Sequence, residues 1–266
     1  MRRTAFIALF FLSVLPLNAQ MVTPRSSAFQ ILIPAAGSLA GANGTFFRSD
    51  LTLLNYRVSQ QRVQLQWLPQ NTPGSSVAPV IFTLAGQSGL SSEDFVATIL
   101  NQSGIGAVLI TGITAAGTLD AGAQLIATSR IWTPQPNAAS GTNSQQFNGM
   151  NTEDINSHTL SIIGQRRDSR YRTNVGVVNL SQTTQSFRID TQTSNGVESQ
   201  TMVVPAFSFN QTSLPGADSA LPLQILVTNV TSGSPTNAFI AYGSSVDNVT
   251  GDAWSSLGFN PPVSQP

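Results

Sequence analysis

The chain has 266 residues, of which 41% are hydrophobic and 9% charged. It is too apolar for a disordered tail and long enough for about two domains of ordinary size. Its twelve basic residues are all Arg and balance twelve acids, with one His and no Cys; this excludes a global field for nucleic acid or an anionic membrane, a disulfide framework, a thiol nucleophile and a metal site of clustered His and Cys.

In chain order, "MRR" is a short basic n-region, "AFIALFFLSVLPL" an apolar h-region, and "LNA" before Gln20 a small-residue cleavage site. Residues 1–19 are therefore expected to be a secretory signal peptide. The h-region spans roughly 20 Å, short of the ~30 Å hydrocarbon core, so no membrane span is expected after cleavage. Cutting there leaves 10 Arg against 12 acids. The expected location is periplasmic, cell-surface or extracellular, and residues 20–28 are read as an N-terminal linker.

The stretch "FFRSDLTLLN" at 46–55 returns as "RYRTNVGVVN" at 170–179. Alternation places Phe47, Ser49, Leu51, Leu53 and Asn55 on one face and Arg48, Asp50, Thr52 and Leu54 on the other, the pattern of a half-buried antiparallel strand. Tyr171, Thr173, Val175, Val177 and Asn179 repeat the first set, and Arg172, Asn174, Gly176 and Val178 the second. Arg48 and Asp50 are expected within reach of each other. Asn55 and Asn179 are expected to end their strands through left-handed backbone or a side-chain bond to a nearby amide. Polar connectors lead to "RVQLQWLP" and "SFRIDT" at the same offset, 172 − 48 = 124 and 189 − 65 = 124, with Val63, Leu65 and Trp67 facing the core like Phe187 and Ile189. "AQLIATSRIW" at 123–132 and "AFIAYGSSV" at 238–246 read as late strands of each copy.

The expected fold class is all-β: two tandem immunoglobulin-like β-sandwiches with one short helix in the first. The first sandwich is placed at 29–133, the second at 157–258, and a tail at 259–266. Residues 134–156, rich in Asn, Gln, Ser and Gly, are read as a solvated linker or long surface loop. The helix is predicted in "SSEDFVATILNQSG", capped by Ser91 or Ser92, with Glu93 and Asp94 in its first turn and Phe95, Val96, Ile99 and Leu100 on one face.

The series "IPAAGSLAGANGTFFRSDLTLLN", "SRIWTP", "RYRTNVGVVN" and "AYGSSVDNVTGDAW" resembles a group of uncharacterised secreted bacterial proteins with paired immunoglobulin-like modules, over most of the mature chain. The resemblance implies a fold and an exported location but no activity. It makes Arg48 and Asp50 a module signature rather than an active site.

Catalytic patterns are sparse. A Ser-His-Asp arrangement would have to use His158, yet no G-x-S-x-G elbow occurs and "NSHTLS" reads as a polar strand entry. "GIG" at 104–106 lacks the rest of a dinucleotide fingerprint. Glu93 with Asp94 and Glu153 with Asp154 are adjacent pairs; a carboxylate pair for hydrolysis would have to assemble across space.

Binding candidates are more concrete. Arg166, Arg167, Arg170 and Arg172 offer planar donors for sulfate, phosphate or uronate groups; the competing reading pairs them with Asp168 or Asp190 at a turn. Asp247, Asn248 and Asp252 could offer oxygen ligands to Ca²⁺, although "VDNVTGD" is also ordinary turn chemistry and departs from EF-hand spacing. Trp132 and Trp254 could stack on sugar rings, while Trp67 is expected inside. The sequence thus predicts a secreted, non-catalytic structural or interaction module whose partner is an extracellular protein or polysaccharide. The first alternative is a carbohydrate or polyanion-binding protein using the Arg cluster or an exposed Trp; the second is a hydrolase with an acid pair between the units. No cofactor other than Ca²⁺ is suggested, and no nucleic acid.

Overall fold

The computed structural model describes residues 27–41, 44–135, 140–215, 223–233 and 235–261. The expected signal peptide and most of the 20–28 linker lie outside the described residues. The protein is mostly β, built from antiparallel sheets that do not close into a barrel.

The N-terminal set of elements is β1 (Gln30–Ala40), β2 (Phe46–Asn55), β3 (Gln61–Pro69), β4 (Val80–Leu84), β5 (Ser88–Ser92), α1 (Phe95–Thr98), β6 (Gly104–Ile113), β7 (Leu125–Pro134), β8 (Thr142–Asn148) and β9 (Met150–Asn151). Pairing runs β4-β3-β6-β1 on one side and β5-β2-β7-β8 on the other. The last residues of β1 cross over to pair β2, Leu39 with Phe47 and Ala40 with Phe46, so the strands form one hydrogen-bonded system. The inward residues Ile31, Ile33, Leu51, Leu53, Val63, Leu65, Trp67, Val108, Ile110, Leu125 and Ala127 form one buried core. Trp67 is 1% exposed, the core position its alternation predicts.

The C-terminal set is β10 (Thr159–Gln165), β11 (Tyr171–Asn179), β12 (Gln185–Thr193), β13 (Gly196–Val204), β14 (Ser208–Ser213), β15 (Leu223–Asn229), β16 (Phe239–Asp247) and β17 (Ala253–Leu257). It forms two four-stranded sheets, β10-β15-β12-β13 and β14-β11-β16-β17. Their inward faces meet around Ile162, Val175, Val177, Phe187, Ile189, Ile225, Val227, Phe239 and Ala241. The pairings follow the same order as in the N-terminal set: β11 lies between β14 and β16 as β2 lies between β5 and β7, and β12 between β13 and β15 as β3 between β4 and β6.

A third buried cluster joins the two sets. It contains Leu32, Ala35, Leu68, Ala107, Leu109 and Phe147 from the first, and Val178, Phe209, Ile240 and Tyr242 from the second. These residues point away from the two other cores; β1, β6, β11 and β16 are apolar on both faces over part of their length, while β8 and β14 each contribute a single aromatic ring. Phe147 meets Tyr242 edge to face at a centroid separation of 5.2 Å, a favoured aromatic geometry.

Two expectations need correction. The 134–156 segment does not run as a solvated loop: β8 pairs β7 from Thr128↔Asn148 to Pro134↔Thr142, and β9 pairs β1. Its backbone gains partners, and Phe147, the single buried apolar side chain among its described residues, anchors it. The helix is one turn only. Ser91 and Ser92 belong to β5, paired with Thr52 and Leu51, while Asp94 stands before α1 with left-handed backbone (φ 47°) and makes no capping bond. Sheet pairing takes the residues that would have capped a longer helix, yet Phe95, Val96 and Leu100 still reach the core.

Candidate binding surfaces

The repeated motif holds connections together. Asn55 is buried; its Nδ2 donates to the carbonyls of Ser59 and Ala85 (both 2.9 Å), and its Oδ1 accepts from Arg57 N–H. Asn179 donates to Thr183 and Pro205 carbonyls and accepts from Ser181 N–H. Neither has positive φ, so the expected left-handed backbone is not used; the side-chain bond does the work. The preceding hydroxyl also has a matched task. Ser49 exchanges bonds with Gly37 N–H and carbonyl, and Thr173 donates to the Arg166 carbonyl and pairs with Ser245 Oγ.

The arginine cluster is largely engaged within the fold. Arg166 pairs with Asp168 at 3.0 Å, Arg167 with Glu198 at 2.9 Å and with the Pro215 carbonyl, and Arg170 with Asp247 at 2.9 Å. Arg172 donates to Asn248 Oδ1. Arg167 is 5% exposed, and Asp190 takes Arg188 rather than a member of the cluster. Arg166 and Arg170 also lie over the Tyr171 ring, which meets Trp254 edge on at 5.5 Å.

The proposed calcium loop is a turn closed by this arginine chemistry. Asp247 Oδ1 accepts from Val249 and Thr250 N–H, while Oδ2 takes the Arg170 guanidinium. The Val249 amide first, then Thr250 and Arg170, outweigh burial and hold the carboxyl below its usual range. Asn248 Oδ1 is occupied by Arg172, and Asp252 Oδ1 accepts from Ala253 N–H. A guanidinium thus stands where a cation would bind. Among the described residues no three His, Cys, Asp or Glu side chains cluster as metal ligands.

Asp168 is also held low: burial pushes it up, but the Arg170 and Tyr171 amides and Arg166 outweigh that. Asp120 follows the same balance, with burial opposed by Gly122 N–H, Arg57 and Gln61. These are the directions of structural ion pairs rather than of a proton donor.

Trp132 lies in an arrangement that sequence reasoning read only in part. Arg48 and Asp50 do not pair with each other. Across the register, Asp50 faces Arg130 and Arg48 faces Trp132. Asp50 accepts from Arg130 Nη2 at 2.8 Å and from Trp132 Nε1 at 2.6 Å. The Arg48 guanidinium lies over Phe46 at 4.8 Å and Trp132 at 5.5 Å, with Arg130 at 5.7 Å from Trp132. Arg130 alternates with Trp132 in "SRIW", so that row was available once the strand register was known. Trp254 instead donates Nε1 to the Gly164 carbonyl.

Comparison with known protein families finds none that matches this chain, and comparison with curated proteins finds no relative. Among the described residues no helix is long and apolar enough to cross a membrane.

Proposed function

We propose that the protein is a secreted, non-catalytic interaction module made of two tandem immunoglobulin-like β-sandwiches docked into one body. The observation that carries this reading is the use of its chemistry-bearing side chains as structural fasteners. Asp50, Asp120, Asp168, Asp190 and Asp247 each hold an arginine, and the buried Asn residues hold connections. The 124-residue offset and the matched order of strand pairing support two copies of one unit. The apolar cluster between them supports a fixed relative placement. The N-terminal basic and apolar run and the absence of Cys fit export of a part that relies on packing.

The test is incubation of purified protein with cell-envelope and exopolysaccharide fractions, followed both by co-sedimentation and by chromatography of the soluble products. Retention without new products supports the reading. Release of products that stops when Asp190→Asn or Asp247→Asn is introduced would replace it with the hydrolase.

A further inference from the structure

We infer that the exposed face of β2, β7 and β8 around Trp132 binds a saccharide that carries a carboxylate. This deepens the interaction-module reading and rests on it. In the C-terminal set the corresponding face is closed: Gly176 pairs with Tyr242 and Val178 with Ile240, and these lie under the N-terminal set. At the matching register, 124 residues earlier, the N-terminal set has Thr52 opposite Thr128 and Leu54 opposite Ile126, while Asp50 opposite Arg130 corresponds to Asn174 opposite Ser244. Thr52, Arg130 and Gln146 are exposed. The β2–β7 face therefore keeps a half-buried apolar pair, Leu54 and Ile126, at one end and is polar and open from Thr52 toward Trp132.

The side chains there suit a sugar better than a protein. A protein interface of any stability needs an apolar centre, and here the apolar groups stand at the margins, Phe46, 39% exposed, at one end and the half-buried Leu54 and Ile126 at the other. It offers instead planar donors and acceptors held in fixed positions. Asp50 locks Arg130 and the indole of Trp132 together. Gln146 lies beside Arg130 across the β7–β8 register and is oriented by Thr128 and Asn148. Rigid amide, carboxylate and guanidinium groups next to aromatic rings are what a polyhydroxylated ring requires.

Arg48 supplies the charge preference. Its side chain is 36% exposed, and its nearest carboxylate, Asp94, is 3.8 Å away, beyond hydrogen-bond distance. It is held by the rings of Phe46 and Trp132 together with this long ion pair, which engages Nε. An arginine stacked in this way keeps its fork of N–H donors for an incoming carboxylate. The arginines at 166–172, by contrast, already have acceptors.

The test is isothermal titration of the purified protein with an oligogalacturonate hexamer, with cellohexaose as the neutral probe and chromatography of the recovered sugar. The expected result is binding of the uronate alone, weakened about tenfold or more by Arg48→Gln and unchanged by Arg166→Ser. Gln146→Ala, an exposed substitution, is expected to weaken binding while thermal stability stays constant. No binding, equal binding of both probes, or binding that survives Arg48→Gln overturns the proposal, as does loss with Arg166→Ser. Cleavage of the hexamer would instead overturn the non-catalytic reading, so the two failures are distinct.

Discussion

Asn55 and Asn179, 124 residues apart, make the same bonds: each amide donates to the carbonyl four residues on and to a carbonyl at the corner between two later strands, Ala85 or Pro205. The corners themselves match. Gln87 and Phe207 both have positive φ, and their N–H groups donate to the Arg57 and Ser181 carbonyls. One buried side chain thereby ties two connections together in each set.

Asn179→Ala should therefore cost roughly 2–4 kcal/mol, because the carbonyls of Thr183, Val204 and Pro205 lose a donor and Ser181 N–H its acceptor, at about 1 kcal/mol for each such bond. Asn55→Ala should behave alike. Urea denaturation checks this; a loss below about 0.5 kcal/mol, the range of ordinary surface changes, would mean the bonds are incidental.

Tyr242 is fully buried, donates to Gln211 Oε1 at 2.7 Å, and has its pKa pushed well above the ordinary value by burial. A raised folded pKa means its contribution is complete below about pH 10 and declines as pH rises further, by up to about 1.4 kcal/mol per pH unit, because only the unfolded chain releases the proton. Tyr242→Phe should remove this share of the alkaline decline at the loss of one hydrogen bond, about 1 kcal/mol. Denaturation curves between pH 8 and pH 11 decide it, and unchanged alkaline behaviour in Tyr242→Phe would contradict the assignment.

The acid side has the opposite sign. Asp168 and Asp247 are held below their ordinary values, so their contributions are present above about pH 4 and are lost as pH falls through the folded values. Asp168→Asn and Asp247→Asn should each be less stable than the parent at pH 7, and the difference should narrow by pH 2. A constant difference across that range would show that the charges are not responsible.

The four clustered arginines should separate by burial. Arg167 is buried against Glu198 and the Pro215 carbonyl, so Arg167→Ser should destabilise by roughly 1–3 kcal/mol. Arg166, 45% exposed beside Asp168, should change stability by about 0.5 kcal/mol or less on conversion to Ser. Equal effects would argue that the cluster acts as one surface patch.

Much of this architecture was readable from alternation. Leu51, Leu53, Val63, Leu65 and Trp67 reach the core their period-two pattern assigns, because a strand has two faces and the sequence marks one as apolar. The closure between the two sets was harder to read. Val178 and Tyr242 stand on the faces opposite their cores, where isolated apolar residues are common on surfaces; only the register of β11 with β16 brings them together. The β8 strand was obscured because its hydrogen bonds come from backbone and its composition is polar, with Phe147 the one buried apolar residue. In the candidate site, Trp132 was legible as an aromatic near a strand end. Its partner Arg130 was not, since Arg48 and Asp50, neighbours in sequence, suggested each other.

Scanning calorimetry of the whole chain tests most directly whether the N-terminal and C-terminal sets of strands are closed into one body by the cluster around Tyr242. One cooperative transition is expected for the parent protein. Tyr242→Ala removes the ring that meets Phe147 and Phe209, should cost roughly 3–5 kcal/mol, and should split the transition into two. Two independent transitions in the parent protein, or a Tyr242→Ala protein that still melts as one unit at the same temperature, would contradict it.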